Sequence, residues 1–260
     1  MPRKTSGTFQ EIWDFVKTVI WAGVIAILIR TFLYEPFNIP SGSMIPTLLI
    51  GDYLFVSKTS FGYSKYSFPL TAIPFEGRIW NGTPKRGDVV VFRPPGEIEN
   101  DFIKRVIGLP GDRIQMRGGI LFINGEQVKR ERVEDYVDPD DPAAMPVAQY
   151  IETLPGGVSH RIIESAGDEG SLDNTPIYVV PADHYFMMGD NRDGSNDSRM
   201  LTRPASSFAP TDEITEKNAD LLGTVGFVPQ QNLIGPAKIL FFSWSKPFHI
   251  RWSRLFDLVK

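Results

Sequence analysis

The N-terminal fifth of the chain carries its longest apolar stretch. From Thr18 to Ile29 there are twelve residues without a charge, and extension through Arg30 to Tyr34 gives seventeen. A membrane span needs about 20 residues at about 1.5 Å rise each. Lys17 and Arg30 can reach the two interfaces by extending their side chains, and Trp21 and Tyr34 suit interfacial positions. A cleaved signal peptide and a buried core helix are competing readings of the same pattern.

Past this segment the pattern changes from helical to strand-like. Asp52–Lys58 is aromatic and β-branched, and Asp88–Arg93 holds a continuous apolar run stopped by Pro94-Pro95-Gly96. Phe102–Leu109 is another strand, ended by Pro110-Gly111. Ile120–Ile123 and Glu126–Val133 flank Asn124-Gly125, the strongest hairpin signal of the chain. Ser159–Glu164 and Ile177–Met188 read as further strands. Residues 134–157, with six Pro or Gly and an acidic cluster at Asp138, Asp140 and Asp141, read as a surface excursion or a subdomain link. Residues 203–222 read as a polar loop with a short helix ending near Asp220. Leu240–Trp244 and Phe248–Leu258 read as a last strand and a terminal helix, with a membrane-surface contact as the alternative.

Composition narrows the class. Of the 260 residues, 21 are Pro and 23 are Gly, which suits a turn-rich β domain. A net charge of −4 gives no reason to expect nucleic acid. The absence of cysteine excludes disulfides, zinc–thiolate sites and cysteine nucleophiles. Asn191-Arg192-Asp193-Gly194 partly matches a calcium loop, but the first carboxylate is missing and Met200 stands where a bidentate Glu belongs. No metal or other cofactor is expected.

Three polar segments carry candidate chemistry. In Pro40-Ser41-Gly42-Ser43-Met44-Ile45-Pro46-Thr47-Leu48 the prolines and glycine oppose regular structure and display hydroxyls just after the apolar segment. The segment reads either as a nucleophile loop or as a linker. A serine needs a base. His160, His184 and His249 stand beside no triad motif and read as structural. Lysine is the other candidate, and an ordinary lysine is neutral at pH 7 only about once in 2,500. Burial lowers its pKa. Lys104, within Asp101-Phe102-Ile103-Lys104-Arg105-Val106-Ile107, could be buried by strand alternation, and Lys58 is a rival on similar grounds. The third segment, Gly189-Asp190-Asn191-Arg192-Asp193-Gly194-Ser195-Asn196-Asp197-Ser198-Arg199, is a dense polar loop. On its own, its Asp190–Asp193 portion reads as turn-making.

In this order the three segments resemble bacterial type I signal peptidase, a membrane-bound Ser–Lys endopeptidase. The likeness covers the apolar segment, most of 35–125, and 176–200, and continues more weakly through Val225-Gly226-Phe227-Val228-Pro229. It implies a mainly β fold: an N-terminal transmembrane helix, then an antiparallel β-sheet catalytic core with a smaller β-rich subdomain. The expected division is a cytoplasmic N-terminus (1–12), an anchor (13–34), core (35–125), an inserted β-rich subdomain (126–175) and a second core part (176–260). The family often carries a disulfide in its outer subdomain, from which this chain departs.

The resemblance implies Ser43 as nucleophile and Lys104 as general base. It aligns Ser41 with the second oxyanion donor and Ser195 with the hydroxyl that orients the lysine. Asp197 and Arg199 align with a supporting ion pair. Phe37, Ile39, Pro40, Met44, Leu48, Val91, Phe102 and Ile103 align with residues lining small apolar pockets. Asp101 and Phe102 are candidates for holding an extended peptide by strand addition. The implied substrates are preprotein signal peptides cut after small-x-small, Ala-x-Ala-like residues. The implied partners are those peptides and membrane lipid. The implied location is the inner or plasma membrane, single-pass, with the catalytic domain periplasmic or extracytoplasmic. Arg3 and Lys4 favour a cytoplasmic start, partly offset by Arg30. A processing peptidase of the same clan acting on a pilin-type substrate, and an inactive anchored peptide-binding β domain, are the alternatives.

Overall fold

A computed structural model describes residues 6–67, 77–80, 82–95, 100–141, 143–247 and 249–260. Arg3, Lys4, Gly96 and Phe248, used in the sequence reading, lie outside them. In chain order the elements are α1 (Ser6–Phe32), β1 (Tyr34–Asn38), β2 (Asp52–Ser57), β3 (Val89–Phe92), β4 (Phe102–Gly108), β5 (Arg113–Arg117), β6 (Ile120–Ile123) and β7 (Glu126–Gln127). They continue with β8 (Lys129–Arg132), β9 (Ala148–Thr153), β10 (Ser159–Glu164), β11 (Ile177–Val179), β12 (His184–Met188), β13 (Glu213–Ile214), β14 (Val228–Pro229), β15 (Leu233–Ser245) and β16 (His249–Ile250).

Helix α1 begins earlier than the apolar run suggests and stands clear of the β domain. Its apolar part, Phe9–Phe32, has 24 residues and a mean hydropathy of 1.9, and none of that window is buried. At ~1.5 Å per residue it is about 36 Å long, enough for a hydrocarbon layer of about 30 Å. A core helix is thereby excluded. Trp21, expected at an interface, falls at mid-helix because the helix extends back past Trp13. Tyr34 is not helical at all and opens β1.

The largest sheet has the order β1-β2-β15-β3-β4-β12-β14, with β16 paired to β15, and each of these pairs is antiparallel. Strand β3 is buried at every position, which explains its unbroken Val89-Val90-Val91-Phe92 run. Two smaller sheets have the orders β10-β9-β8 and β13-β11-β5-β6-β7. Within 126–175, strands β8, β9 and β10 form their own sheet. The five-stranded sheet takes only β7 from that stretch, its other strands coming from before and after it. Three buried apolar clusters lie beneath these sheets: one around Leu54, Val56 and Leu240, one around Val90, Phe92 and Tyr185, and one around Ile114, Tyr178 and Phe186.

Most strand expectations hold to within a residue or two. The Asn124-Gly125 turn has φ of 56° and 85°, the backbone that a tight β-hairpin requires. Glu126–Val133 is split, because Val128 turns inward and pairs with the backbone of Leu121. Ile177–Met188 is two strands joined by a turn at Asp183, whose φ is 58°. Residues 134–157 contain a full strand, β9. The loop 203–222 carries β13 and a short 3-10 turn over Glu216–Leu221.

The terminal helix expected over Phe248–Leu258 is absent among the described residues. After β16 the chain makes one 3-10 turn at Trp252–Arg254 and then runs extended along β15. The cause is strand pairing. Arg251, Phe256 and Val259 give their N–H groups to the carbonyls of Ser243, Leu240 and Lys238 on β15, groups a helix would need for itself. Arg251 and Arg254 meanwhile turn in to the fully buried Asp52, at 3.6 and 2.6 Å.

Candidate active site

The serine segment is a tight loop between β1 and β2. Ile39 N–H donates to the Asp52 carbonyl, and Leu48 N–H donates to the Met44 carbonyl at 2.9 Å. Met44 and Leu48 are fully buried and pack with Ile39, Leu54 and Val56, so they act as apolar pegs that hold the loop. Among the described residues they are not part of the lining of the cleft that opens on Ser43, where the resemblance gave them a pocket role. Immediately before Met44, Ser43 is almost completely buried, whereas Ser41 is exposed.

Lys104 lies on β4, opposite Val90 of β3. Its Nζ stands 2.6 Å from Ser43 Oγ and donates to the Ile103 carbonyl at 3.1 Å. The lysine is 4% exposed. Burial pulls its pKa down to about 8, against the opposing pull of Asp197 and Asp190. Lys58 is also buried, but its Nζ faces Glu35 at 2.9 Å.

The histidines stand apart from this contact. His160, on β10, lies 3.5 Å from Glu152 and has its pKa pushed down to about 4 by burial and by Arg105. His184 bonds the Ala182 carbonyl through Nδ1, and His249 is exposed.

The loop 189–199 closes over the serine loop and is far more than a turn. Asn191 N–H donates to the Ser43 carbonyl and its side-chain amide donates to the Gly42 carbonyl, both at 3.1 Å. Asp190 accepts two bonds from Arg105, at 2.8 and 2.6 Å, and one from Thr47 at 2.5 Å. Burial opposes the Asp190 charge, but Arg105 outweighs it and holds the carboxyl below the usual range. Arg192 forms a two-pronged bond to Glu152 on β9. Asp197 and Arg199 are both fully buried and paired through two bonds at 2.9 Å. Burial again opposes the Asp197 charge and Arg199 overcomes it.

Ser195 is buried on this loop. A Cβ added at Gly189 would lie 2.3 Å from Ser195 Oγ and 2.5 Å from the Ser43 carbonyl oxygen. Gly189 is therefore wedged between the two serines, and only a hydrogen fits there.

A cleft of about 690 Å³ opens on Ser43 and Lys104. Phe37, Ile39, Pro40, Ser41, Val91, Asp101, Phe102 and Ile103 line it, as do Asn38, Asn100, Gly194 and Asn196, which the sequence reading did not single out. Asp101 at its rim is paired with Arg93 at 2.6 Å. β12 pairs with β4 only from Arg105 to Gly108, and β1 has no partner strand on its outer side. Both cleft-side backbones thus keep free edges among the described residues.

The arrangement offers a buried hydroxyl, an amine able to lose its proton near neutrality, and two strand edges for an extended chain. Among the described residues, no group of three or more His, Cys, Asp or Glu could hold a metal ion.

Comparison with known proteins agrees in kind. The family model described as signal peptidase, peptidase S26, matches residues 12–244. A signal peptidase I of Rickettsia conorii is 38% identical over 92% of this chain and 82% of its own length. One from Rickettsia typhi is 39% identical over 92% of this chain and 83% of its own. A crystal structure of a signal peptidase I from Enterococcus faecalis is 24% identical over 59% of this chain and 96% of its own, with a TM-score of 0.31 too low to carry an argument. With a family match over nearly the whole sequence and relatives well above 30% identity, the chain belongs to the signal peptidase family, the S26 peptidases.

Proposed function

We propose that this protein is a membrane-anchored serine endopeptidase that removes signal peptides from exported preproteins with a Ser43–Lys104 dyad. The observation that carries the reading is the 2.6 Å contact between Lys104 Nζ and Ser43 Oγ inside a buried site. With a pKa of about 8, roughly one lysine in ten is neutral at pH 7.

Neutral Lys104 takes the Ser43 proton as Oγ attacks the scissile carbonyl. The oxyanion is held by the Ser43 N–H and the Ser41 hydroxyl. The ammonium of Lys104 then gives its proton to the departing amine, leaving an ester on Ser43. Lys104, neutral again, takes a proton from water as the water attacks that ester, and returns it to Ser43 Oγ. Ser195 Oγ, buried without a hydrogen-bond partner among the described residues, is the hydroxyl free to turn to the amine and orient it, and the Asp197–Arg199 pair supports its loop.

The preprotein lies extended between the β1 and β4 edges, its backbone bonded as an added strand. Phe37, Ile39, Val91 and Ile103 leave room for small side chains, which gives the small-x-small preference. Helix α1 crosses the inner membrane once, with the N-terminus cytoplasmic and the β domain outside. Lipid around α1 is then the second partner.

The test is cleavage of an Ala-x-Ala preprotein by the full chain in detergent. Ser43→Ala and Lys104→Met should each lower the rate by at least about 1,000-fold while remaining folded. Cutting that survives in either folded variant sinks the dyad.

A further inference from the structure

The junction between α1 and the β domain has no slack. Leu33 alone separates the helix from β1, and Leu33 N–H still closes the last helical turn on Ile29. The final carbonyls of a helix lack partners within it. Here the β domain supplies them. Tyr63 Oη–H donates to the Phe32 carbonyl at 2.5 Å, and Lys58 N–H donates to the Leu33 carbonyl at 3.0 Å. The Tyr63 and Phe32 rings meet edge-on at 6.4 Å. One residue into β1, Glu35 pairs with Lys58, whose side chain is 1% exposed.

Beyond the junction, β1 is locked to β2 at all five positions, from Tyr34 opposite Ser57 to Asn38 opposite Tyr53. Five residues later comes Ser43. At about 3.3 Å per residue, β1 spans roughly 17 Å. Helix, strand and serine loop therefore follow one another with no flexible linker between them.

We propose that Tyr63, Lys58 and Glu35 clamp the anchor to the sheet and so fix the height of Ser43 above the bilayer. The enzyme then selects among candidate sites by their distance from the substrate's own apolar segment. This rests on the membrane-anchored peptidase reading above. Glu35, Lys58 and Tyr63 act as positioning residues through the joint, and they touch neither Ser43 nor Lys104 among the described contacts. A flexible linker would let the catalytic domain reach sites at many heights, whereas a clamped strand permits a narrow band.

The experiment uses the full chain in lipid vesicles. The substrates are preproteins whose Ala-x-Ala site is moved stepwise away from the apolar segment, alongside a water-soluble peptide with the same site. The variants are Tyr63→Phe with Lys58→Met, and separately a four-residue Gly/Ser insertion after Leu33. Wild type should cut a narrow range of spacings. The variants should widen that range, or move it by about two to four residues, a reach set by the chain extension per residue. Their cutting of the soluble peptide should be unchanged.

A wild type that cuts all spacings equally, or variants that keep its range, would overturn the clamp. So would variants that lose soluble-peptide cutting in step with preprotein cutting, since that marks a merely structural joint. Failure of the functional reading is separable: there, wild type would cut neither substrate.

Discussion

Lys104 is caught between two opposing demands. Its ammonium is buried, which is costly, yet Asp197 and Asp190 favour it. Burial prevails and the pKa falls from 10.5 to about 8. Folding therefore releases a proton between those values, and the neutral amine's contribution to stability is full above pH 10.5 and lost as pH falls through about 8. The cost of the buried ammonium at neutral pH is about 3 kcal/mol. Lys104→Met should accordingly raise the melting temperature at pH 7, and the gain should shrink as pH rises toward 10.5. Thermal melts of both proteins across that range check it. On the proposed Ser43–Lys104 reading, the same pKa sets the rate. Cleavage in wild type should climb about tenfold per pH unit below 8 and level off above.

At the scale of elements, the decisive piece is the loop 189–199. It is held from behind by Glu152 of β9, which pairs with the fully buried Arg192. The Arg192 carbonyl in turn accepts from Arg199 at 2.6 Å. Glu152→Ala leaves a buried guanidinium without its partner and should cost about 3–5 kcal/mol in urea unfolding. Activity should fall with it, because Asn191 can no longer hold the Gly42 and Ser43 carbonyls in place. Melts and cleavage rates that both match wild type would refute this link.

That link also shows what the chain discloses and what it hides. Local patterns gave away the strands: the Asn124-Gly125 hairpin and the Val89–Phe92 run needed only backbone chemistry and burial. The serine loop and Lys104 stood out through their motifs. Glu152 did not, because it lies in a stretch whose prolines and acids read as a surface excursion, and its partner lies 40 positions away. Asn191 was visible but read as a turn residue, since amides that make turns also bridge loops. The terminal helix failed for a related reason. Its backbone answers to β15 and its arginines to Asp52, about 200 residues earlier, and no local period records those demands.

Over the whole molecule, Ser43 and Lys104 belong to opposite halves of the sheet. Ser43 follows β1, beside β2, whereas Lys104 sits on β4, beside β3. Between β2 and β3 runs β15, a strand of 13 residues from Leu233 to Ser245. Among the described residues the two halves share no other strand. The order of synthesis then acts as a safety catch. A nascent chain can display both Ser43 and Lys104 after 104 positions, yet the seam that joins them is made more than 125 residues later. Ribosome-bound chains ending before Leu233 should be silent toward the soluble peptide, and chains extended well past Ser245 should cut it. A protease built this way is born inert, and it matures only once β15 has left the ribosome.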